Sequence, residues 1–137
     1  MIKTDAQRTR TVTQIDGFQR ALAEAVGGGG PSKRAAAIRG SYEAMIGQLE
    51  EEIEEYDRLK AGAVTIPPLE RLDQIAPFVV RLRIAKGVSQ TELASRLGVS
   101  KQVLSRDEDD DYQRVGLDRL QSILDALGVQ AQIRLSA

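Results

Sequence analysis

The polar residues between Ser89 and Arg106 are those whose types and spacing could do chemistry. Ser89 is followed three residues later by Glu92, and Ser100 begins a second short segment of similar pattern. A serine at a helix start can accept a hydrogen bond from a free backbone amide, and a glutamate three residues on completes a capping box. The spacing therefore predicts two short helices, one starting after Ser89 and the other after Ser100.

Apolar residues are expected to hold these two helices together. Gly98 supplies the left-handed residue that a tight stop needs. Two short helices joined by a three- to four-residue turn cross at a steep angle, so the residue at the crossing, Ala94, must be small. The side chains predicted to point inward are Leu93, Ala94, Leu97, Val99, Val103 and Leu104.

The second helix is then expected to present Lys101, Gln102, Ser105 and Arg106 outward. Lysine and arginine suit guanine edges, glutamine suits adenine, and serine suits either a base or a phosphate. The chain has no cysteine and no histidine. Disulfides, thiolate metal sites, cysteine nucleophiles and Ser-His-Asp arrangements are therefore excluded. We expect no enzymatic activity, no metal and no cofactor.

The net charge of −1 hides an uneven distribution along the chain. Residues 63–106 carry seven basic and three acidic residues, whereas the flanking segments, 34–62 and 107–137, are both acidic. A basic block between two acidic ones predicts a local face that binds a polyanion.

The residues from Val80 to Val129 resemble the lambda-repressor-like (Xre/Cro) helix-turn-helix family. The pattern is carried by Gln90, Leu93, Ala94, Leu97, Gly98, Val99 and Leu104. The resemblance implies that this part of the chain binds double-stranded DNA with its second motif helix in the major groove. It also implies that Arg83 pairs with Glu108. The predicted DNA contacts are Ser89, Gln90, Thr91, Ser100, Lys101, Gln102, Ser105 and Arg106.

One position departs from the family pattern, which usually has an apolar residue where Asp107 stands. A carboxylate there cannot be core, so we expect the recognition helix to end a turn early. The run Asp109-Asp110-Asp111 would repel phosphates if it lay close to them. The alternative is a helix-turn-helix retained only as a scaffold for binding another protein.

Residues 1–62 are predicted to form a helical arm used for dimerisation or partner binding. A first helix is expected to start at Thr13 and to end at the glycines that follow Val26. A long second helix, from Ser32 to Ala61, carries a near-heptad apolar stripe. The two helices could close as an antiparallel hairpin or pair with a second subunit. The glutamates from 50 to 55 form either a solvated face or a docking surface for a basic partner.

Residues 63–137 are predicted to form the DNA-binding domain, with five helices between residues 68 and 128. The first of these begins at Pro68 and reaches Ile75, and the next begins at Pro77. Residues 129–135 alternate apolar and polar types, which predicts a strand. It would pair with residues 63–66 or with its own copy in a second subunit, and a disordered tail is the alternative. The predicted fold class is all-α with a short C-terminal β-strand.

These patterns predict a sequence-specific DNA-binding transcriptional regulator, acting as a repressor and as a homodimer. The layout of an arm and a helix-turn-helix also looks like regulators found in toxin–antitoxin operons. The alternative function is therefore an antitoxin-like module that masks a partner toxin through its N-terminal helices, with or without DNA binding. Since the sequence shows neither a membrane span nor a signal peptide, we expect a cytoplasmic protein.

Overall fold

The computed structural model of the protein describes residues 1–27 and 32–137. The chain divides into two compact units, Met1–Asp57 and Arg58–Ala137. The α-helices are α1 (Asp5–Gly27), α2 (Lys33–Lys60), α3 (Val79–Ala85), α4 (Gln90–Leu97), α5 (Lys101–Asp109) and α6 (Leu117–Ala126). None of the helices in the described ranges is long and apolar enough to cross a membrane. The predicted glycine loop, residues 28–31, lies outside the described residues.

Helix α1 begins well before Thr13, so the predicted start was wrong. The Thr4 Oγ1 atom accepts a hydrogen bond from the Gln7 N–H (3.1 Å), and the Gln7 side chain accepts one from the Lys3 N–H (2.8 Å). Thr4 and Gln7 therefore have the same capping-box spacing as Thr13 and Asp16, on which the expected start at Thr13 depends. Thr13 lies within the helix and donates to the Thr9 carbonyl instead.

Helix α2 begins after Ser32, as predicted, because the Ser32 hydroxyl accepts the Ala35 N–H (3.0 Å). Within the first unit, three pairs of side chains join α1 to α2. Tyr56 donates to Asp5, Arg8 makes a two-pronged ion pair with Asp57, and the Phe18 and Tyr42 rings lie 6.0 Å apart. Asp5 and Arg8, near the start of α1, pair with residues near the end of α2, whereas Phe18 pairs with Tyr42 in the first half of α2, so the two helices are antiparallel. The hairpin is the arrangement that the structure adopts.

In the second unit, the helix expected from Pro68 to Ile75 is reduced to a 3-10 turn, Leu72–Gln74. The Gln74 side chain accepts hydrogen bonds from the backbone N–H groups of Glu70 and Arg71, at 2.8 and 3.0 Å. At the start of an α-helix these N–H groups would have no partner within the helix. A second 3-10 turn, Ala76–Phe78, contains Pro77 and leads directly into α3. The four α-helices that follow enclose a core of Val79, Val80, Leu93, Leu104, Ile123 and Leu124.

The predicted C-terminal strand is wrong. No strand occurs in the described ranges, and neither residues 63–66 nor residues 129–137 take part in strand pairing. A strand needs a neighbour for its backbone groups, and residues 1–27 and 32–137 contain no strand that could pair with the tail. The tail instead lines a cavity of about 330 Å³ together with Leu69, Phe78, Leu82 and Leu124. Its residues Ile133 and Leu135 remain exposed.

Candidate nucleic-acid interface

Two serine caps and one glycine define the geometry of α4 and α5. Ser89 accepts the Glu92 N–H (3.1 Å) and Ser100 accepts the Val103 N–H (3.2 Å), each from an extended backbone conformation. Gly98 ends α4 with φ +68°, and the Val99 N–H donates to the Ala94 carbonyl at 3.0 Å. Because the caps are built from residues adjacent in sequence, the start of each helix is specified locally.

A buried charge centre, made of Arg83, Gln90 and Glu108, fixes the inner side of α5. The Glu108 carboxylate accepts hydrogen bonds from Arg83 Nη2 (2.7 Å), Arg83 Nε (2.9 Å) and Gln90 Nε2 (2.8 Å). A further guanidinium nitrogen donates to the Val88 carbonyl (2.9 Å). The side chain of Glu108 is fully buried and that of Arg83 is 3% exposed. The centre therefore joins α3, α4 and α5 through one carboxylate.

Gln90 was predicted to contact DNA, and the structure places its side chain inward, in the buried charge centre. Its backbone N–H is at the first turn of α4, where helical N–H groups have no partner within the helix. Ser89, Thr91 and Ser100 are exposed at the starts of the same two helices. The starts of α4 and α5 thus present hydroxyl-bearing side chains to solvent.

The outer side of α5 lies opposite Leu104 and Glu108. Gln102 and Arg106 are exposed there, Ser105 is half-buried, and Lys101 is exposed as the first residue of the helix. Within the described ranges, neither a side chain nor a backbone group forms a hydrogen bond or ion pair with the side chain of Lys101, Gln102 or Arg106. These three side chains are therefore available to an external partner.

Val103 was predicted to point inward with Leu104, and this was wrong, since Val103 is 37% exposed whereas Leu104 is fully buried. Successive residues of an α-helix point about 100° apart, so two neighbours cannot both face the centre of the core. That geometry was the available signal. Val103 adds an apolar group to the outer side of α5.

Helix α5 does not end a turn early. It continues through Asp107 to Asp109, because the Asp107 carboxylate is held by Arg119 of α6 at 2.6 Å. Arg96 of α4 also reaches α6, donating to the Ala126 carbonyl at 2.8 Å. The half-buried ion pair lets a charged residue occupy a position where an apolar one was expected.

The turn after α5 contains two successive non-glycine residues in the left-handed region, Asp111 (φ +54°) and Tyr112 (φ +58°). This conformation is uncommon for such residues and is kept only where the surroundings require it. The Tyr112 side chain is 1% exposed, and its burial keeps the turn in this conformation. Burial, together with the nearby charge of Glu108, raises the pKa of the Tyr112 hydroxyl well above its ordinary value.

Comparison with known protein families assigns part of the chain. Residues 80–133 match the model of the helix-turn-helix family, a segment that includes α4, the turn at Gly98 and α5. No curated protein and no solved structure matches the chain.

Proposed function

Because residues 80–133 form a helix-turn-helix domain, we propose that the protein is a sequence-specific DNA-binding regulator of transcription that represses by occupying its operator. The outer side of α5 is the observation that carries this proposal. Its inner side is fixed by Leu104 and the buried charge centre, whereas Lys101, Gln102 and Arg106 are exposed and have no partner in the described ranges. A rigidly held helix with unengaged polar side chains suits the major groove.

The starts of α4 and α5 would position the domain on the duplex. Free backbone amides and the positive end of the helix dipole attract phosphate oxygens. Ser89, Thr91 and Ser100 add hydroxyl groups at these sites, and Gln90 would contribute its backbone N–H, since its side chain is bound to Glu108. Contacts of this kind set the register without distinguishing base pairs.

The outer side of α5 would specify the sequence. Gln102 suits adenine, Lys101 and Arg106 suit guanine, and the exposed methyl groups of Val103 suit the methyl group of thymine. Ser105, being half-buried, would reach only a near base or phosphate.

We further propose that the protein works as a homodimer. The tail, residues 129–135, takes part in no strand pairing in the described ranges and exposes Ile133 and Leu135. The same segment of a second copy would supply the missing partner and cover these side chains. Two copies could then read half-sites about 34 Å apart.

The experiment that tests DNA reading begins with selection of duplexes from a random pool by the wild-type protein. The selected duplex and a scrambled one are then titrated with wild type and Gln102→Ala at two salt concentrations. We expect Gln102→Ala to lose roughly 1–3 kcal/mol of binding free energy on the selected duplex. Binding to the scrambled duplex should hardly change, because that binding depends on phosphate contacts.

Gln19→Ala is the matched control, since Gln19 is an exposed glutamine of α1 in the other unit. It should bind both duplexes as wild type does. Equal losses by Gln102→Ala on both duplexes would show that Gln102 does not read sequence. Failure of the wild type to bind any duplex at low salt would contradict the proposed function.

A second candidate function, an antitoxin-like role, is favoured by the surface of the first unit. Val12, Ile38 and Met45 are exposed apolar residues of α1 and α2, and Glu50 and Glu51 add exposed carboxylates on α2. Such a surface suits a partner with apolar and basic groups. The test is the double variant Val12→Asp, Met45→Asp, which should lose neutralisation of a co-expressed toxin while retaining DNA binding.

A further inference from the structure

The acidic residues at the end of α5 differ in what surrounds them. Asp107 is paired with Arg119 at 2.6 Å, and Asp110 lies 3.3 Å from Arg114. Asp111 lies beyond the helix, in the left-handed turn. Asp109 is exposed on the last residue of α5, and no group in the described ranges forms a hydrogen bond or ion pair with its carboxylate. Among the acidic residues at the end of α5, Asp109 is thus the helical residue whose carboxylate has no neutralising partner in the described ranges.

Helix geometry places Asp109 on the same side of α5 as Gln102 and Arg106. The three positions are separated by four and three residues, the spacing that aligns side chains along one helix face. Leu104 and Glu108, which are fully buried, mark the opposite face. At 1.5 Å per residue, Asp109 lies about 10 Å along the axis from Gln102, which corresponds to about three base-pair steps.

A carboxylate can only accept hydrogen bonds, and this limits what it can face in a major groove. Guanine presents two acceptors, thymine presents an acceptor and a methyl group, and phosphates are anionic. Adenine has a donor but also the N7 acceptor beside it, which would repel the second carboxylate oxygen. Cytosine presents its amino donor without a neighbouring acceptor on the same base. Cytosine is therefore the base that an unneutralised aspartate prefers.

We propose that Asp109 is a specificity-determining residue that accepts a hydrogen bond from the amino group of a cytosine, about three base pairs from the base read by Gln102. The proposal rests on the proposed function, because it requires α5 to lie in the major groove. It assigns to Asp109 a positive role in binding, where the run of aspartates would otherwise only repel DNA.

Substitution at Asp109 should not disturb the fold. The residue lies at the carboxyl end of α5, where the helix dipole disfavours negative charge. Its side chain makes no hydrogen bond or ion pair with the rest of the described chain. The melting temperatures of Asp109→Ala and Asp109→Asn should therefore equal or slightly exceed that of wild type.

The experiment is selection of duplexes from a random pool by wild type, Asp109→Ala and Asp109→Asn, followed by titration of the selected sites. The wild type should prefer cytosine at one position, and Asp109→Ala should lose roughly fivefold or more of that preference. Asp109→Asn should shift the preference at the same position to adenine, which asparagine binds through N6 and N7. Preferences at all other positions should stay as in wild type.

Asp16→Asn is the control, because it makes the same change in net charge at an exposed residue of α1. It should leave the selected sequence unaltered. The inference is overturned if Asp109→Ala selects the same sequence as wild type, or strengthens binding to every duplex alike, since Asp109 would then only repel phosphate. If the wild type selects no sequence at all, the proposed function falls together with the inference.

Discussion

Glu108 is a single carboxylate on which three helices depend. It is fully buried, and the hydrogen bonds to it come from Arg83 of α3 and Gln90 of α4. Burying a charge costs several kcal/mol unless a partner and further hydrogen bonds compensate for the lost water. Here both kinds of compensation are present, and they lie on different helices. The carboxylate therefore fixes the position of α5 relative to α3 and α4.

Glu108→Ala should destabilise the protein by about 3–5 kcal/mol, because the Arg83 guanidinium would remain buried without its counter-charge. Denaturant unfolding followed by circular dichroism measures this. The control is Arg71→Ala, which breaks an ion pair with Asp73 whose side chains are both largely exposed. That variant should unfold close to wild type. A Glu108→Ala protein as stable as the control would show that the buried charge centre does not hold the helices together.

Tyr112 predicts a dependence of stability on alkaline pH. Its hydroxyl is buried and has no hydrogen-bond partner among the described residues. Its pKa is raised in the folded protein by burial, whereas an unfolded tyrosine ionises near pH ~10. The unfolded state therefore releases this proton first as the pH rises. The contribution of Tyr112 to stability is fully present below pH ~10 and is lost progressively above it.

Tyr112→Phe should remove this alkaline loss, and at neutral pH it should be as stable as wild type or up to about 1–3 kcal/mol more stable, because an unsatisfied buried hydroxyl disappears. Thermal melts at pH 7 and above pH 10 would measure both effects. Tyr42→Phe, at a half-buried tyrosine of α2, should retain the alkaline loss. A Tyr112→Phe protein that is much less stable at pH 7 would indicate that the hydroxyl has a bound partner such as a water molecule.

At the scale of elements, the structure follows the sequence in α4 and α5, where the signal is local and complete. The starts of α4 and α5 were predicted correctly because Ser89 and Ser100 cap residues only three positions away. The turn between these helices was also predictable, since Gly98 has the left-handed conformation that favours glycine. Capping and turn formation involve residues close together in the chain, so a single sequence is enough to predict where these helices start and where the turn lies.

The start of α1 and the end of α5 could not be predicted because distant residues determine them. The first turns of α1 are tied to α2 by Asp5 with Tyr56 and by Arg8 with Asp57, about fifty residues later in the chain. Asp107 stays helical because Arg119 of the next helix neutralises it. Without these partners, the sequence does not show which of the two capping patterns, at Thr4 or at Thr13, begins α1. Nor does it show that Asp107 can remain within α5.

The inward position of the Gln90 side chain shows a similar limit within the site itself. Its place at a helix start indicated a phosphate contact, and nothing in the adjacent residues indicated that its amide would bind Glu108, eighteen positions away. The strand predicted at residues 129–135 was wrong for a different reason. Its alternation describes two unlike faces, and pairing depends on a second strand that the described chain does not contain.

At the scale of the whole molecule, the proposed dimer predicts that the tail forms the contact between two copies, which sedimentation can test. Wild type at tens of micromolar should sediment as a dimer without DNA. Ile133→Asp should shift it toward monomer, because a charge would replace an exposed apolar residue at the proposed contact. Gln132→Asp introduces the same charge on the polar side of the alternation and should stay dimeric. A wild type that sediments as a monomer would contradict the proposal.

The buried charge centre has a consequence for how the protein could change over evolutionary time. Because Glu108 holds the inner side of α5, the outer residues Gln102 and Arg106 contribute little to the fold, and exposed positions of this kind usually alter stability by no more than about 0.5 kcal/mol. A lineage could exchange these side chains, and with them the operator that the proposed function requires, without first acquiring a stabilising mutation elsewhere. One side of α5 is thus required for the fold, whereas the residues on its other side can be substituted with little effect on stability.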